Sequence, residues 1–419
     1  MSTSPPPTPA SRALLDDEWR FEPITLPCEW VEDYRPGGYH PVVLGDVFNN
    51  GQYKVIRKLG EGSYSTVWLA YYRYLFPLRN SGYVALKIRV SEISGSTTEL
   101  RILRHITEVA PVEGARHITR LLGEFEHRGP NGAHRCLVFE PMGPSVNTMV
   151  EEQPQFKPRM QGMKIRYALR MAKSILKQSL QALAFLHENG IAQGDFQLGN
   201  ILFTLDDINS TPEVLLRQEE DVQAESISPP VQRVDVPFTY YGEGFKVKLS
   251  DMGGAYFFTD PPTKPVTPLG LRAPELILTG AVDVDNTLDV WSFGCLVFEL
   301  ITGQPLFCIP GSDFEDDDHL LSLTARLGAL PDELFRHWKT SSLYFTPERK
   351  LFELSSWRSR SGAGTAYDLD EEEAHKVKAL IRWILQYDLA KRPSPAQILS
   401  DPWFSEIDVE SGSSKVSLG

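Results

Sequence analysis

Cysteine is scarce in this chain of 419 residues. The four that occur (Cys28, Cys136, Cys295 and Cys308) are scattered, without the spacing of a metal site. That usage points to free thiols in a reducing compartment. Long apolar runs are missing too. None approaches the roughly 20 residues that a membrane-spanning helix needs. The opening MSTSPPPTPA has no apolar stretch of the secretory kind, and Asp16, Asp17 and Glu18 are out of place in an acid-poor mitochondrial leader. Positive charge is in deficit: 42 Lys and Arg face 55 Asp and Glu, a net charge of −13. The deficit argues against a general binder of nucleic acid or anionic membrane. It leaves plain solubility or a basic partner as the two readings. No nuclear-import run of Lys and Arg occurs, which favours the cytoplasm and leaves shuttling to the nucleus open.

What is present suffices for a sizeable core. Hydrophobic residues make up 42% and charged residues 23%, ordinary values for a globular chain. The length allows one large domain or two ordinary ones. Residues 1–18 are rich in Ser, Thr and Pro and read as a disordered tail. Residues 19–52 mix aromatics with prolines and read as an extension packed on the domain that follows. Tyr53 to Tyr72, YKVIRKLGEGSYSTVWLAYY, alternates as a hairpin turning at Gly60 to Val67. Gly60 and Gly62 would let phosphates approach the backbone, and Val67 would pack on a purine; an ordinary tight turn is the other reading. Tyr83 to Ile88 is a strand with Lys87 inside it. Glu99 opens a helical pattern with Leu100, Leu103 and Ile106, and could position Lys87. Glu92 is the alternative partner. His117 to Glu126 and Arg135 to Glu140 complete a small sheet, and Pro141-Met142-Gly143 follows as a hinge. Residues 164–188 form an amphipathic run, a long helix stopped by Asn189-Gly190.

That helix delivers the chain into Ile191 to Phe203, IAQGDFQLGNILF. Asp195 and Asn200 stand five positions apart before an apolar run. A carboxylate to meet an attacking hydroxyl and an amide oxygen to hold a cation on phosphates suit phosphoryl transfer. Residues 204–244 are acidic, contain Pro and Ser, and lack a period; they read as a mobile insertion. Alternation returns at FKVKL and gives way to Ser250-Asp251-Met252-Gly253, a second candidate cation ligand at a strand end. Ala273-Pro274-Glu275 follows, then Asp289-Val290-Trp291-Ser292-Phe293-Gly294, a buried helix start whose aspartate can cap backbone groups. Arg392 is placed to pair with Glu275. Residues 405–419 read as a frayed tail.

Taken together, GEGSYSTV, VALK, Glu99, Asp195 with Asn200, Asp251-Met252-Gly253, Ala273-Pro274-Glu275, Asp289 and Arg392 resemble the eukaryotic protein kinases over about residues 40–405. The stretch YRPGGYHPVVLGDVFNNGQYKVIRKLGEGSYSTVWLA, the place of the insertion and DDDHLLSLTARLGALPDELF are most similar to the SR-protein kinases. The resemblance implies an α+β, two-lobed fold over 53–404: a β-rich N-lobe over 53–140 and a mainly α-helical C-lobe over 141–404, with ATP between them. It implies Asp195 as catalytic base, with Asn200 and Asp251 on Mg²⁺. It also implies Gly60, Gly62, Ser65, Val67 and Ala85 around the nucleotide, Lys87 on its phosphates and Glu99 holding Lys87. Backbone near Glu140 and Met142 would read the adenine. The implied partners are ATP and basic or Arg/Ser-rich protein substrates, met by a monomer. Asp313, Glu315, Asp316, Asp317 and Asp318 fall in that family's docking region, where an acidic groove would receive a basic peptide; a solvated acidic loop is the other reading.

The chain departs from the kinase pattern at four places, one of them Met252 in place of Phe, a tolerable apolar swap. Gln193-Gly194 replaces the usual His-Arg before the catalytic aspartate, which favours activity independent of loop phosphorylation. Gln197 replaces a lysine and removes a positive charge from the transition state, which implies slow turnover. Ser65 replaces the third loop glycine. These departures keep open a pseudokinase that binds nucleotide and partners without efficient catalysis. A small-molecule phosphotransferase is the third reading, opposed by Ala273-Pro274-Glu275, the Asp289 helix and Arg392.

Overall fold

Alternation in the first third of the chain builds a sheet, and helical periods dominate the rest. The computed structural model describes residues 29–73, 82–95, 98–109, 115–152, 165–205, 208–218, 244–264, 266–280, 285–307, 314–351 and 370–405. The tail expected at 1–18 and residues 406–419 lie outside the described residues. Two units result: a β-rich one within Met1–Ala110, Ile118–Pro144 and Leu202–Phe245, and a mainly helical one within Pro111–His117, Ser145–Ile201 and Lys246–Gly419. This is the two-lobed α+β architecture that the sequence implies.

In the first unit, β1 (Val47–Phe48), β2 (Tyr53–Gly62), β3 (Ser65–Tyr72), β4 (Gly82–Arg89), β5 (Leu121–Gly129) and β6 (Gly132–Phe139) form an antiparallel sheet. The spatial order is β1-β2-β3-β4-β6-β5. Period-2 patterning sorts the side chains. Val55, Trp68, Ala70, Val84, Leu86, Ile88, Cys136 and Val138 bury one face, joined by Val42 and Phe48 from the preceding segment. Each fully buried aliphatic or Phe side chain contributes about 1.5–3 kcal/mol. Leu69 and Tyr83 lie on the opposite face, with Ile56. The same alternation puts Lys87 on the face opposite Leu86 and Ile88. The strand expected from His117 starts only at Leu121, because His117 belongs to the other unit, where its Nδ1 lies 3.1 Å from the Val247 carbonyl oxygen.

Residues 29–52 lie against this sheet. The Glu29 carboxylate pairs with Lys58 at 2.7 Å, both side chains buried. The Tyr39 hydroxyl donates to the Gly62 carbonyl at 2.7 Å, at the end of the glycine hairpin. His40 packs against Phe48, His127 and His134. Burial pushes its pKa down to about 3, with His127 and His134 adding to the shift, so the ring is neutral there. Gly129 is required beneath it: a Cβ would lie 2.2 Å from His40 Nδ1.

The insertion expected over 204–244 behaves differently in its first part. Residues 208–218, including α4 (Glu213–Leu216), pack Ile208 and Leu216 on Ile56, Leu69 and Tyr83. β1 is only two residues long, and the preceding segment covers the outer edge of β2 only as far as Val55, whose N–H donates to the Asp46 carbonyl and whose carbonyl accepts from the Gly45 N–H, both at 2.9 Å. Gln218 covers the edge beyond that point: its N–H donates to the Ile56 carbonyl at 2.9 Å and its Oε1 accepts from the Lys58 N–H at 3.0 Å. The Arg57 Nε donates to the Leu216 carbonyl at 2.7 Å. Residues 219–243 lie outside the described residues.

Chain passes through β7 (Met142–Ser145) into the second unit, which begins with α2 (Val146–Glu152). Its long helix, α3 (Leu169–Glu188), starts five residues later than the period suggests. Ala168 is extended, at ψ 143°. Tertiary bonds hold the segment before it: Arg166 donates to the Ile301 carbonyl and the Tyr167 hydroxyl to the Val146 carbonyl. After α3, β8 (Ile191–Ala192) pairs antiparallel with β11 (Tyr256–Phe257). In chain order β9 (Ile201–Thr204), whose residues from Leu202 on fall in the first unit, and β10 (Val247–Leu249) come before β11. Then come α5 (Pro274–Leu278), the almost wholly buried α6 (Thr287–Thr302) and α7 (Glu315–Leu327). The Arg392 guanidinium grips Glu275 with both ends, at 2.6 and 2.8 Å, over the Trp291 ring. Such a fork fixes geometry as well as charge.

Candidate active site

In the first unit, β4 presents Ala85 and Lys87 beside β3, with Leu69 opposite Ala85 and Val67 opposite Lys87. β2 places Gly60 opposite Val67 and Gly62 opposite Ser65, so both glycines stand in the strand and Ser63-Tyr64 makes the turn. The helix α1 (Thr98–Val109) buries Glu99 together with Leu103 and Ile106, one turn and two turns on. That face turns Glu99 toward the sheet, where its Oε1 lies 2.6 Å from Lys87 Nζ and its Oε2 3.6 Å from Arg89 Nε. Glu92, the alternative, pairs with Arg35 instead, at 3.9 Å. Glu140 is engaged at both ends of its residue: its Oε1 accepts from the Arg120 N–H and its N–H donates to the Arg120 carbonyl. Met142 is buried.

In the second unit, Asp195, Asn200 and Asp251 come together. The Asp195 carboxylate accepts from Gln197 Nε2 at 2.7 Å and from Asn200 Nδ2 at 2.9 Å. Asn200 Nδ2 also donates to the Asp195 carbonyl at 2.9 Å, which commits the amide nitrogen and leaves the Oδ1 end for another partner. The Ser250 N–H donates to the Asn200 carbonyl at 2.7 Å, so Asp251 follows directly on a residue bonded to Asn200. Asp251 has a left-handed φ of 53°, and its Oδ1 accepts from the Gly253 N–H. An amide oxygen and a carboxylate are hard donors suited to Mg²⁺, which normally completes its shell with phosphate and water. Asp195 carries a perturbed pKa. Burial pushes its carboxyl up to about 6; the bonds from Asn200 and Gln197 oppose the rise, and the charges of Asp251 and Asp289 add to it.

Gln193 has a role that its residue type does not announce. Its buried side chain accepts from the Asp195 N–H at 2.7 Å and donates to the Asp251 carbonyl at 3.0 Å. It therefore joins Asp195 to Asp251. Gly194 sits at φ 73°, and a Cβ there would lie 2.3 Å from the Gly254 carbonyl oxygen. An arginine cannot stand at this position in this backbone. Asp289 does not cap its own helix, as its place in the sequence suggests; the N-cap is Asn286. Its carboxylate accepts from the Gln193 and Gly194 N–H groups, both at 2.8 Å, and lies 2.9 Å from His187 Nε2. Thr267 Oγ1 donates to the Gly194 carbonyl at 2.8 Å. These contacts cross 73 to 102 positions of sequence. Of the acidic stretch 313–318, Asp317 is buried and accepts from Trp338, Thr340 and Tyr344. Asp318 is also buried, Asp316 lies 3.6 Å from Arg272, and Asp313 lies outside the described residues.

The protein-kinase-domain family model matches residues 53–404. The chain belongs to the protein kinase family. Its curated relatives include the serine/threonine-protein kinase SRPK of Physarum polycephalum, 30% identical over 90% of this chain and 92% of that protein. Protein kinase dsk1 of Schizosaccharomyces pombe is 28% identical over 94% of this chain and 88% of its own. SRSF protein kinase 3 of Sus scrofa is 24% identical over 96% and 94%. The chain is therefore a divergent serine/threonine-protein kinase of the SR-protein-kinase group, a class that uses ATP and a divalent metal on protein substrates.

Proposed function

We propose that this kinase transfers the γ-phosphoryl group of ATP to serine hydroxyls in Arg/Ser-rich or other basic protein segments. The observation that carries the reading is the Asp195 carboxylate, held by Gln197 and Asn200 and joined through Gln193 to Asp251. In the step, the serine Oγ–phosphorus bond forms, the bond from the γ-phosphorus to the β-bridging oxygen breaks, and the hydroxyl proton passes to Asp195. Asn200 Oδ1 and the Asp251 carboxylate would hold Mg²⁺, which supplies positive charge against the phosphates. Lys87, aligned by Glu99, would bind the α- and β-phosphates; Gly60, Gly62, Ser65, Val67 and Ala85 would line the nucleotide. Backbone from Glu140 to Met142 would meet the adenine.

The departures from the kinase pattern support activity rather than its loss. Gln193 makes the two bonds that tie Asp195 to Asp251, and Gln197 donates to the base. Gly194 leaves no arginine to bind a phosphorylated loop, so activity is independent of that modification. The scattered thiols and the missing basic import run support action in the cytoplasm, with shuttling to the nucleus, as a monomer. A peptide panel tests the substrate class. Serine in an Arg-Ser repeat is phosphorylated faster than serine in an acidic peptide; equal rates on both would remove the basic-substrate reading.

A further inference from the structure

Two carbonyls at the turn of the glycine hairpin are held by groups from outside the hairpin. The Gly62 carbonyl accepts from the Tyr39 hydroxyl at 2.7 Å. The Tyr64 carbonyl accepts from the Val90 N–H at 3.0 Å. Val90 directly follows β4, three residues after Lys87. Tyr39 is itself fixed. Its N–H donates to the Asp33 carbonyl at 3.0 Å, and its carbonyl accepts from Asn131 Nδ2 at 2.6 Å. The glycines before it accept from the chain just past β4: Gly38 from the Ser91 N–H at 3.1 Å, and Gly37 from the Glu92 N–H at 2.8 Å. Gly38 must be glycine, because a Cβ there would overlap the Asp33 carbonyl oxygen. Tyr39 is 6% exposed, and its ring lies 5.7 Å from the Tyr34 ring. Burial pushes the phenol's pKa up, and the charges of Asp33, Glu29 and Glu61 add to the rise, so the hydroxyl keeps its proton and donates. The tip that it holds lies in solvent: Gly62, Ser63 and Tyr64 are exposed.

We propose that Tyr39 is a positioning residue for the nucleotide: its hydroxyl holds the hairpin tip in the position that receives the phosphates. The proposal rests on the kinase reading above and deepens it. An exposed hairpin tip samples several positions, and only some of them bind. Apparent affinity falls in proportion to the fraction that is competent. A bond that selects the competent position therefore raises affinity for the part of the ligand that the tip touches. In the kinase reading that part is the phosphates, which approach the backbone at Gly60 and Gly62. Val90 ties the same tip to the strand that carries Lys87, so the roof and the phosphate-binding lysine are set together. Gly37 closes the frame by donating its N–H to the Asn131 carbonyl, at 2.8 Å, in the turn between β5 and β6. All of these residues belong to the first unit. Tyr39 lies outside the residues assigned above to nucleotide, cation and proton transfer, and acts on the ligand through Gly62.

The test is Tyr39→Phe, which removes the hydroxyl and keeps the ring against Tyr34. Gly62 is exposed, so water can satisfy its carbonyl and the fold is retained, as a thermal-shift comparison checks. A collapse of the unfolding midpoint would assign the hydroxyl to the fold and overturn the proposal. Calorimetry then compares Mg-ATP, Mg-ADP and adenosine on the wild type and the variant. ATP and ADP are expected to bind the variant about two- to tenfold more weakly, the range of one hydrogen bond. Adenosine, which carries no phosphate, keeps its affinity. In steady state the KM for ATP rises by the same factor, while kcat and the KM for peptide hold. Amide hydrogens from Gly60 to Thr66 exchange faster in the nucleotide-free variant than in the nucleotide-free wild type. ATP affinity equal in the two proteins, or unchanged exchange over the hairpin, overturns the proposal. A loss for adenosine as large as that for ATP does so too, because it is what a merely structural role gives. The predicted binding pattern without phosphate transfer counts against the proposed function and not against Tyr39. A wild type that binds no nucleotide overturns both.

Discussion

In the proposed reaction Asp195 accepts the proton, and burial brings its pKa up to about 6. A base must be ionised to accept the serine proton, so kcat/KM rises with pH through about 6, where the free enzyme's carboxyl titrates. A kcat/KM profile flat from pH 5 to 8 would contradict that placement. Bound Mg²⁺ and a basic peptide both favour the carboxylate, so the limb in kcat lies at lower pH than the limb in kcat/KM. Gln193 gives a second check. Gln193→Leu leaves the Asp195 N–H and the Asp251 carbonyl without their partner, about 1–3 kcal/mol each. Transfer falls by roughly one and a half to four orders of magnitude, at about 1.4 kcal/mol per decade. A steady-state rate within twofold of wild type would show that the bridge is dispensable. The spacing of Asp195 and Asn200 was legible in the sequence because a short loop brings them together. Gln193 and Asp289 were not, because their partners lie far along the chain and a residue type carries no address.

At the scale of elements, the glycine hairpin is held from outside the kinase motifs. The Glu29–Lys58 pair is fully buried, and Tyr39 holds the Gly62 carbonyl. Removing Glu29 leaves buried Lys58, among the described residues, with only the longer pair to Glu61, at 3.4 Å. Glu29→Ala is therefore expected to cost about 3–5 kcal/mol in chemical denaturation, and Glu29→Leu with Lys58→Met to recover most of it. A cost below 1 kcal/mol for Glu29→Ala would show that the pair is not structural. Strands were readable here, because each buries opposite faces and the alternation is strong. The limits of α3 and the docking of 208–218 were not. Arg166 and Tyr167 hold a helical-looking run extended through distant carbonyls, and a polar residue, Gln218, covers an open strand edge. Neither leaves a period to read.

Over the whole molecule, the charge of −13 matters most for the encounter with a basic substrate. The kcat/KM for an Arg-Ser peptide is expected to fall about three- to tenfold between 50 and 300 mM salt, mainly through the association step, while a neutral peptide changes little. Equal salt dependence for the two peptides would remove long-range charge from the account. The two-lobed class was legible because the β-rich motifs precede the helical ones in order, and each keeps its own period. Specificity was less so: of the acidic stretch read as a docking surface, Asp317 and Asp318 are buried, and Asp317 binds Trp338, Thr340 and Tyr344. The central claim is that Asp195 serves as the base of an active kinase. The measurement that tests it most directly is transfer of labelled γ-phosphate from Mg-ATP to an Arg-Ser repeat peptide by the wild type and by Asp195→Asn, with nucleotide binding followed by thermal shift. Transfer that falls at least a hundredfold in the variant while nucleotide binding persists is the predicted result. Nucleotide binding with no transfer by the wild type, or transfer unchanged in the variant, would contradict it.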